Sequence, residues 1–188
     1  MEIKGNTERP PEDIRIIKSK RALLQALILL LEKKSFAKIS VNDICEAALV
    51  SRTTFYTHFE DKYALVRFGL QILRNDMERN TQELHPKEVI RAVLRHIREN
   101  TAPFKNLLLA DPNVEMGKMF HGFFTEAFLQ ALTANENDSS ALPAEPEFIA
   151  SFYAGGTAAA IIQWIGSGFK GSAERLADNL YGLVSALA

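Results

Sequence analysis

Between Ser40 and Lys62 the chain reads S-V-N-D-I-C-E-A-A-L-V-S-R-T-T-F-Y-T-H-F-E-D-K, and this spacing leaves room for two short helices joined by a tight turn. Ser40 can cap the first, with Asp43 three residues on to complete a capping box. Val41, Ile44, Cys45 and Ala48 then recur at helical spacing and make one apolar face, while Asn42, Asp43 and Glu46 point elsewhere. Ser51 offers a second N-cap, so a new helix is expected from about Arg52. In it Phe55 and Phe59 stand four apart and share a side, which suits docking onto a small core. Arg52, Thr53, Tyr56 and Thr57 occupy the other side, with His58 at its edge. Arginine pairs with the guanine edge, threonine offers a hydroxyl and a methyl to thymine, and tyrosine or histidine reaches phosphate. The stretch is patterned like a helix-turn-helix reader of double-stranded DNA.

The segment V-S-R-T-T-F-Y-T-H-F-E-D-K resembles the signature of TetR-family transcriptional regulators: Tyr56, His58, Phe59 and Lys62 match the family's Tyr-x-His-Phe-x-x-Lys. Leu49 stands where the family usually carries glycine in the turn, so that residue is expected either to be strained in a left-handed conformation or to sit in a slightly different turn. From the residues and this resemblance, Arg52 and Thr53 are expected at bases, Asn42 as a third, and Ser40, Tyr56, His58 and Lys62 at phosphates. Lys62 in a helix's first turn opposes the helix dipole, a conflict that a phosphate partner would explain.

Charge distribution agrees with a polyanion at one end. The chain carries a net charge of −1, yet residues 15–62 hold nine Lys and Arg against five acids. The expected organisation is all-α: a tail over 1–13, a three-helix DNA-binding unit over 14–62 with its helix-turn-helix at 40–59, and a helical regulatory and dimerisation part over 63–188. A long first helix, about Arg15–Lys34, carries Ile17, Leu24, Leu27 and Leu31 on one face, and Phe36 and Ile39 follow to close the small core. A fourth helix starts at Asp61. Beyond Asn80 no segment reads as strand. Pro86 opens a helix, a short apolar piece spans 103–110, an aromatic helix runs over about 114–134, and residues 135–146 form a polar loop.

Two last helices, about 147–167 and 172–187, each carry an apolar seam: Phe148, Phe152, Gly155, Ala159 and Ile162 on one, Leu176, Leu180, Leu183 and Leu187 on the other. Small residues there permit close helix approach, so a four-helix homodimer interface is expected, with an intrachain bundle core as the other reading. Phe152-Tyr-Ala-Gly-Gly-Thr157, with Trp164-Ile165 beyond it, resembles the C-terminal region of a subgroup that includes dihydroxyacetone-operon activators. Phe120, Phe123, Phe124, Phe152, Tyr153 and Trp164 are candidate walls of an effector pocket, against the alternative of plain core.

No catalytic site is expected. Gly166-Ser-Gly-Phe-Lys-Gly-Ser172 has the wrong order for a phosphate loop and reads as a helix end, a turn and a Ser172 cap. The histidines, His58, His85, His96 and His121, lack metal-ligand spacing, so neither metal nor cofactor is expected. Cys45 alone forms no intrachain disulfide and reads as packing. The longest apolar run, Ala26 to Leu31, is far short of the roughly 20 residues that span a bilayer, and no signal-peptide pattern opens the chain, so a cytoplasmic protein without a membrane partner is expected. Two functions suit this reading. One is a homodimeric DNA-binding regulator whose operator affinity responds to a small-molecule effector. The other is a DNA-bound tether whose C-terminal part recruits a protein coregulator.

Overall fold

The computed structural model describes residues 14–81, 86–109, 114–133 and 143–185, and among these every regular element is helical. The small core comes first. Helix α1, Ile14–Leu31, buries Leu23, Ala26, Leu27 and Leu31, a stripe at helical spacing. It ends three residues before the expected Lys34. A short 3-10 turn, Phe36–Lys38, drops Phe36 into the core, and Ile39 follows it. Helices α2, Val41–Ala48, and α3, Arg52–His58, then pack on α1 through Ile44, Cys45, Phe55 and Phe59. Each such fully buried phenylalanine contributes about 1.5–3 kcal/mol over its exposed state.

Helix α4, Lys62–Thr81, leaves this core; Asp61 caps it by accepting the Ala64 N–H at 2.7 Å. The expected division at 62/63 therefore falls in the first turn of a continuous helix. Helices α5, Pro86–Glu99, and α6, Thr101–Leu108, follow with a bend at Asn100. Asn106 of α6 donates its amide to the Leu31 carbonyl at 2.8 Å, satisfying one orphan acceptor at the end of α1. Helix α7 spans Val114–Thr133, α8 Pro146–Gly166 and α9 Ala173–Ser185. The principal pairings are α7 with α8 and α5 with α9. Two arginines of α4 reach α7: Arg67 pairs with Glu115 as well as Glu60, and Arg74 with Glu126 while lying over the Phe123 ring.

At 21 residues α8 is long and apolar enough, by length and composition, to cross a membrane. It differs from the apolar run in α1 by having no polar side. One face, Ala150, Ala154, Thr157, Ile161, Trp164 and Ile165, is packed inside the chain. The opposite face is exposed, with Phe148 at 67% and Phe152 at 68%. The expected tail over 1–13 and most of the expected 135–146 loop lie outside the described residues.

Candidate nucleic-acid interface

Local chemistry sets the reader helix. Ser40 accepts the Asp43 N–H at 3.1 Å, and the Asp43 carboxylate accepts both the N–H and the hydroxyl of Ser40 at 2.7 Å, a complete capping box. Those two bonds, with Lys34 at 3.1 Å, hold the Asp43 carboxyl at about 2, below its ordinary 3.8. Helix α2 ends in a Schellman motif: the Val50 N–H reaches back to the Cys45 carbonyl at 3.0 Å and the Leu49 N–H to Glu46 at 3.2 Å. Such an end needs a left-handed residue, and Leu49 supplies it with φ 55°. Ser51 then caps α3 by accepting the Thr54 N–H at 3.1 Å.

Given these constraints, α3 is divided as its spacing requires. Phe55 and Phe59 are buried, tilted against each other at 5.8 Å. Arg52, Thr53, Tyr56 and Thr57 are exposed together on the outer side, and the Arg52 guanidinium lies 5.9 Å from the Tyr56 ring. Thr57 folds its hydroxyl back to the Thr53 carbonyl at 2.9 Å. His58 is half-buried, edge-on to Phe59. Asn42 is exposed on α2 with its amide on Glu46 at 2.6 Å, a bond that a base would have to displace. Ser40 is exposed too, but its hydroxyl hydrogen is engaged by Asp43 within the capping box.

Lys62, expected at a phosphate, already has partners within the chain. Its ammonium donates to the carbonyls of Phe36 at 2.8 Å and Ile39 at 2.9 Å and lies 4.3 Å from the centre of the Phe36 ring. The helix-dipole conflict at its position is answered by these carbonyls, so the part-buried charge ties the start of α4 to the small core. Burial pushes the Cys45 thiol up, opposed in smaller measure by Arg52, which keeps it a packed thiol.

The six expected pocket walls are distributed between core and surface. Phe120, Phe123, Phe124 and Trp164 are buried in the core, and Phe152 points to the surface. Tyr153 is half-buried against Phe128, its hydroxyl on the Leu183 carbonyl at 3.2 Å. A cleft of about 570 Å³ opens elsewhere, between α6 and the end of α8, and none of those six residues lines it. The expected dimer seam divides as well. Phe148, Phe152, Ala159 and Leu183 are exposed, and Gly155 and Ile162 partly so. Leu180 is instead buried in the chain's own core, with Leu176 packed beside it, because that side of α9 lies on α5. Leu187 lies outside the described residues. The Gly166–Ser172 segment is a helix end, turn and cap, as its order indicated: Phe169 N–H bonds the Trp164 carbonyl at 2.9 Å, and Ser172 accepts the Arg175 N–H at 3.1 Å.

This geometry meets two family models. Residues 23–67 match the one described as "Bacterial regulatory proteins, tetR family", and residues 84–186, more than half of the chain, match "Transcriptional regulator C-terminal region" of the TetR type. The chain belongs to the TetR family of transcriptional regulators. It is 24% identical over 172 residues to the uncharacterized HTH-type transcriptional regulator YxbF of Bacillus subtilis (strain 168), covering 86% of this chain and 43% of that protein's length. Among solved structures, the TetR transcriptional regulator from Streptococcus agalactiae 2603V superposes with a TM-score of 0.66 at 25% identity, over 92% of this chain and 96% of that one. The dihydroxyacetone kinase operon activator DhaS gives 0.65 at 22% identity, over 90% and 96%. That likeness concerns the fold, and it is to the subgroup which the Phe152–Thr157 segment resembles. Sequence reasoning missed the Asn106 tie between α6 and α1; a lone asparagine on a short helix carries no local signal of a partner 75 positions away.

Proposed function

We propose that this TetR-family chain is a sequence-specific DNA-binding regulator acting as a homodimer on a pseudo-palindromic site, its affinity modulated by a ligand held in residues 63–188. The observation that carries the DNA-binding part is the division of α3, with Phe55 and Phe59 inward and Arg52, Thr53 and Tyr56 together on the open side. A short helix anchored in this way can enter a major groove without disturbing its own core. Arg52 and Thr53 are assigned to bases, and Tyr56 and His58 to phosphates. Asn42 reads a base once released from Glu46, and Ser40 lies at the phosphate edge. The exposed Phe148, Phe152 and Ala159 face of α8, with Leu183, supports dimerisation, since an apolar patch of that kind calls for a partner. Two readers then occupy successive groove faces about 34–36 Å or a multiple apart.

Selection of preferred duplexes from a random pool tests this reading. Winners with two related half-sites at that spacing are expected; a pool without enrichment at low salt would refute it. The same exposed face supports the second reading, a DNA-bound tether that docks a protein coregulator there. It is distinguished by a monomeric mass in solution at concentrations that saturate DNA.

A further inference from the structure

The open side of α3 carries two exposed threonines one turn apart, and their hydroxyls are in different states. Thr57 donates its hydroxyl hydrogen to the Thr53 carbonyl at 2.9 Å, whereas the Thr53 hydroxyl has no partner among the described residues. The bond on Thr57 has two effects. It selects the χ1 rotamer that turns Oγ1 back along the helix, so the methyl is held in one position instead of exchanging with the hydroxyl. It also leaves Oγ1 as an acceptor only. Such an oxygen is mismatched to phosphate, whose oxygens accept as well, and to the N7 and O6 edge of guanine. An adenine or cytosine amine could still donate to it, but Oγ1 is turned toward the helix's own backbone. The methyl is the group left for the duplex.

The length of the helix places that methyl at bases. α3 has 7 residues, which at 1.5 Å each is about 10 Å, against a major groove about 12 Å wide. A helix this short, entering by its open side, keeps its last turn within the groove. We propose that Thr57 is a specificity-determining residue that reads thymine, its fixed methyl packing on the C5 methyl of the base. This rests on the DNA-reading assignment of α3 above. Four helical residues rise about 6 Å, so the thymine lies within about two base-pair steps of the pair that Thr53 meets.

The probe is the duplex selected from the random pool, with each thymine of a half-site replaced in turn by deoxyuridine, which removes the C5 methyl and keeps the pairing. At one position the wild-type chain should lose about fourfold in affinity, as burial of one methyl implies, and about fifteenfold when both half-sites carry the change. Thr57→Ser keeps the hydroxyl and its route to the Thr53 carbonyl and removes only the methyl. It should bind the uracil duplex as the wild type does and the thymine duplex no better. Thr57→Val keeps a methyl and should restore the preference for thymine. A loss in Thr57→Ser on both duplexes alike marks a structural role and overturns the proposal. A uracil effect that persists undiminished in Thr57→Ser assigns that thymine to another side chain and overturns it too. Tolerance of uracil at every position, with Arg52→Ala still weakening the same duplex, overturns the role of Thr57 and leaves DNA reading by α3 in place. Failure to select any duplex overturns both.

Discussion

Leu49 offers a quantitative test of the helix-turn-helix geometry. It ends α2 at φ 55°, ψ 38°, with its side chain 94% exposed. The left-handed conformation costs a residue with a Cβ roughly 1–2 kcal/mol, because Cβ crowds the neighbouring carbonyl oxygen. Glycine at this position relieves that crowding but adds freedom to the unfolded chain, about 0.4–1 kcal/mol in the opposite direction. No packing is lost, since the leucine buries nothing. Leu49→Gly should therefore stabilise the fold by about 0.5–1 kcal/mol, a rise in Tm of about 1–4 °C for a chain of this size. The assay is thermal unfolding by circular dichroism, with both proteins at the same protomer concentration so that assembly does not bias the comparison. Leu49→Ala serves as the control because it keeps the Cβ and removes the rest of the side chain. It should leave Tm within a degree or lower it slightly. An equal rise in both variants would place the gain in the exposed leucine and not in the backbone, and no rise in Leu49→Gly would refute the strained turn.

Further outcomes follow from the reader and its supports. Arg52→Ala should cost about 1–3 kcal/mol on the selected duplex and relax preference at one base pair, measured by competition titration. Lys62→Ala should cost about 2–3 kcal/mol of stability, because two carbonyls lose a charged donor. The salt slope of DNA binding should stay the same; a slope lower by about 1 with unchanged Tm would return Lys62 to the phosphate. Asp43 is most effective when ionised. Its folded pKa of about 2 lies below the ordinary 3.8, so its stabilising effect is present above the ordinary value and lost as pH falls through the folded one. The Tm deficit of Asp43→Asn should accordingly shrink between about pH 4 and pH 2. Phe152→Arg, at a side chain 68% exposed, should convert a dimer into a monomer by sedimentation while leaving the helical content intact.

What was legible in the sequence was local. The caps at Ser40, Ser51 and Asp61 act over three residues, and each makes the bond its spacing announces. The inward and outward sides of α3 likewise need only the period of a helix. The carbonyl partners of Lys62 were not legible because Phe36 and Ile39 lie 26 and 23 positions upstream, and a charge in a helix's first turn looks the same whether it serves carbonyls or phosphate. The aromatic side of α7 was ambiguous for a related reason. Phe120, Phe123 and Phe124 show that something covers that face, and spacing does not say whether it is a ligand or a neighbouring helix; here it is packed protein.

The same distinction makes α8 informative. A helix with one apolar stripe needs one partner, and α9 finds its own in α5, which is why Leu180 is unavailable to a second chain. A helix apolar on every side needs two. α7 covers Ala150, Ala154, Thr157 and Ile161, and among the described residues Phe148 and Phe152 remain open on the other side. Phe148, Phe152 and Ala159 recur at steps of four and seven, so they lie along one line of the helix surface, and Ala159 with the neighbouring Gly155 and Gly156 lets another helix approach closely there. Large side chains at one end of the line and small ones further along are complementary to the same pattern running the opposite way. A second copy related by a two-fold axis meets that requirement with one surface. The open side of α8 is thus the physical ground on which the proposed homodimer rests.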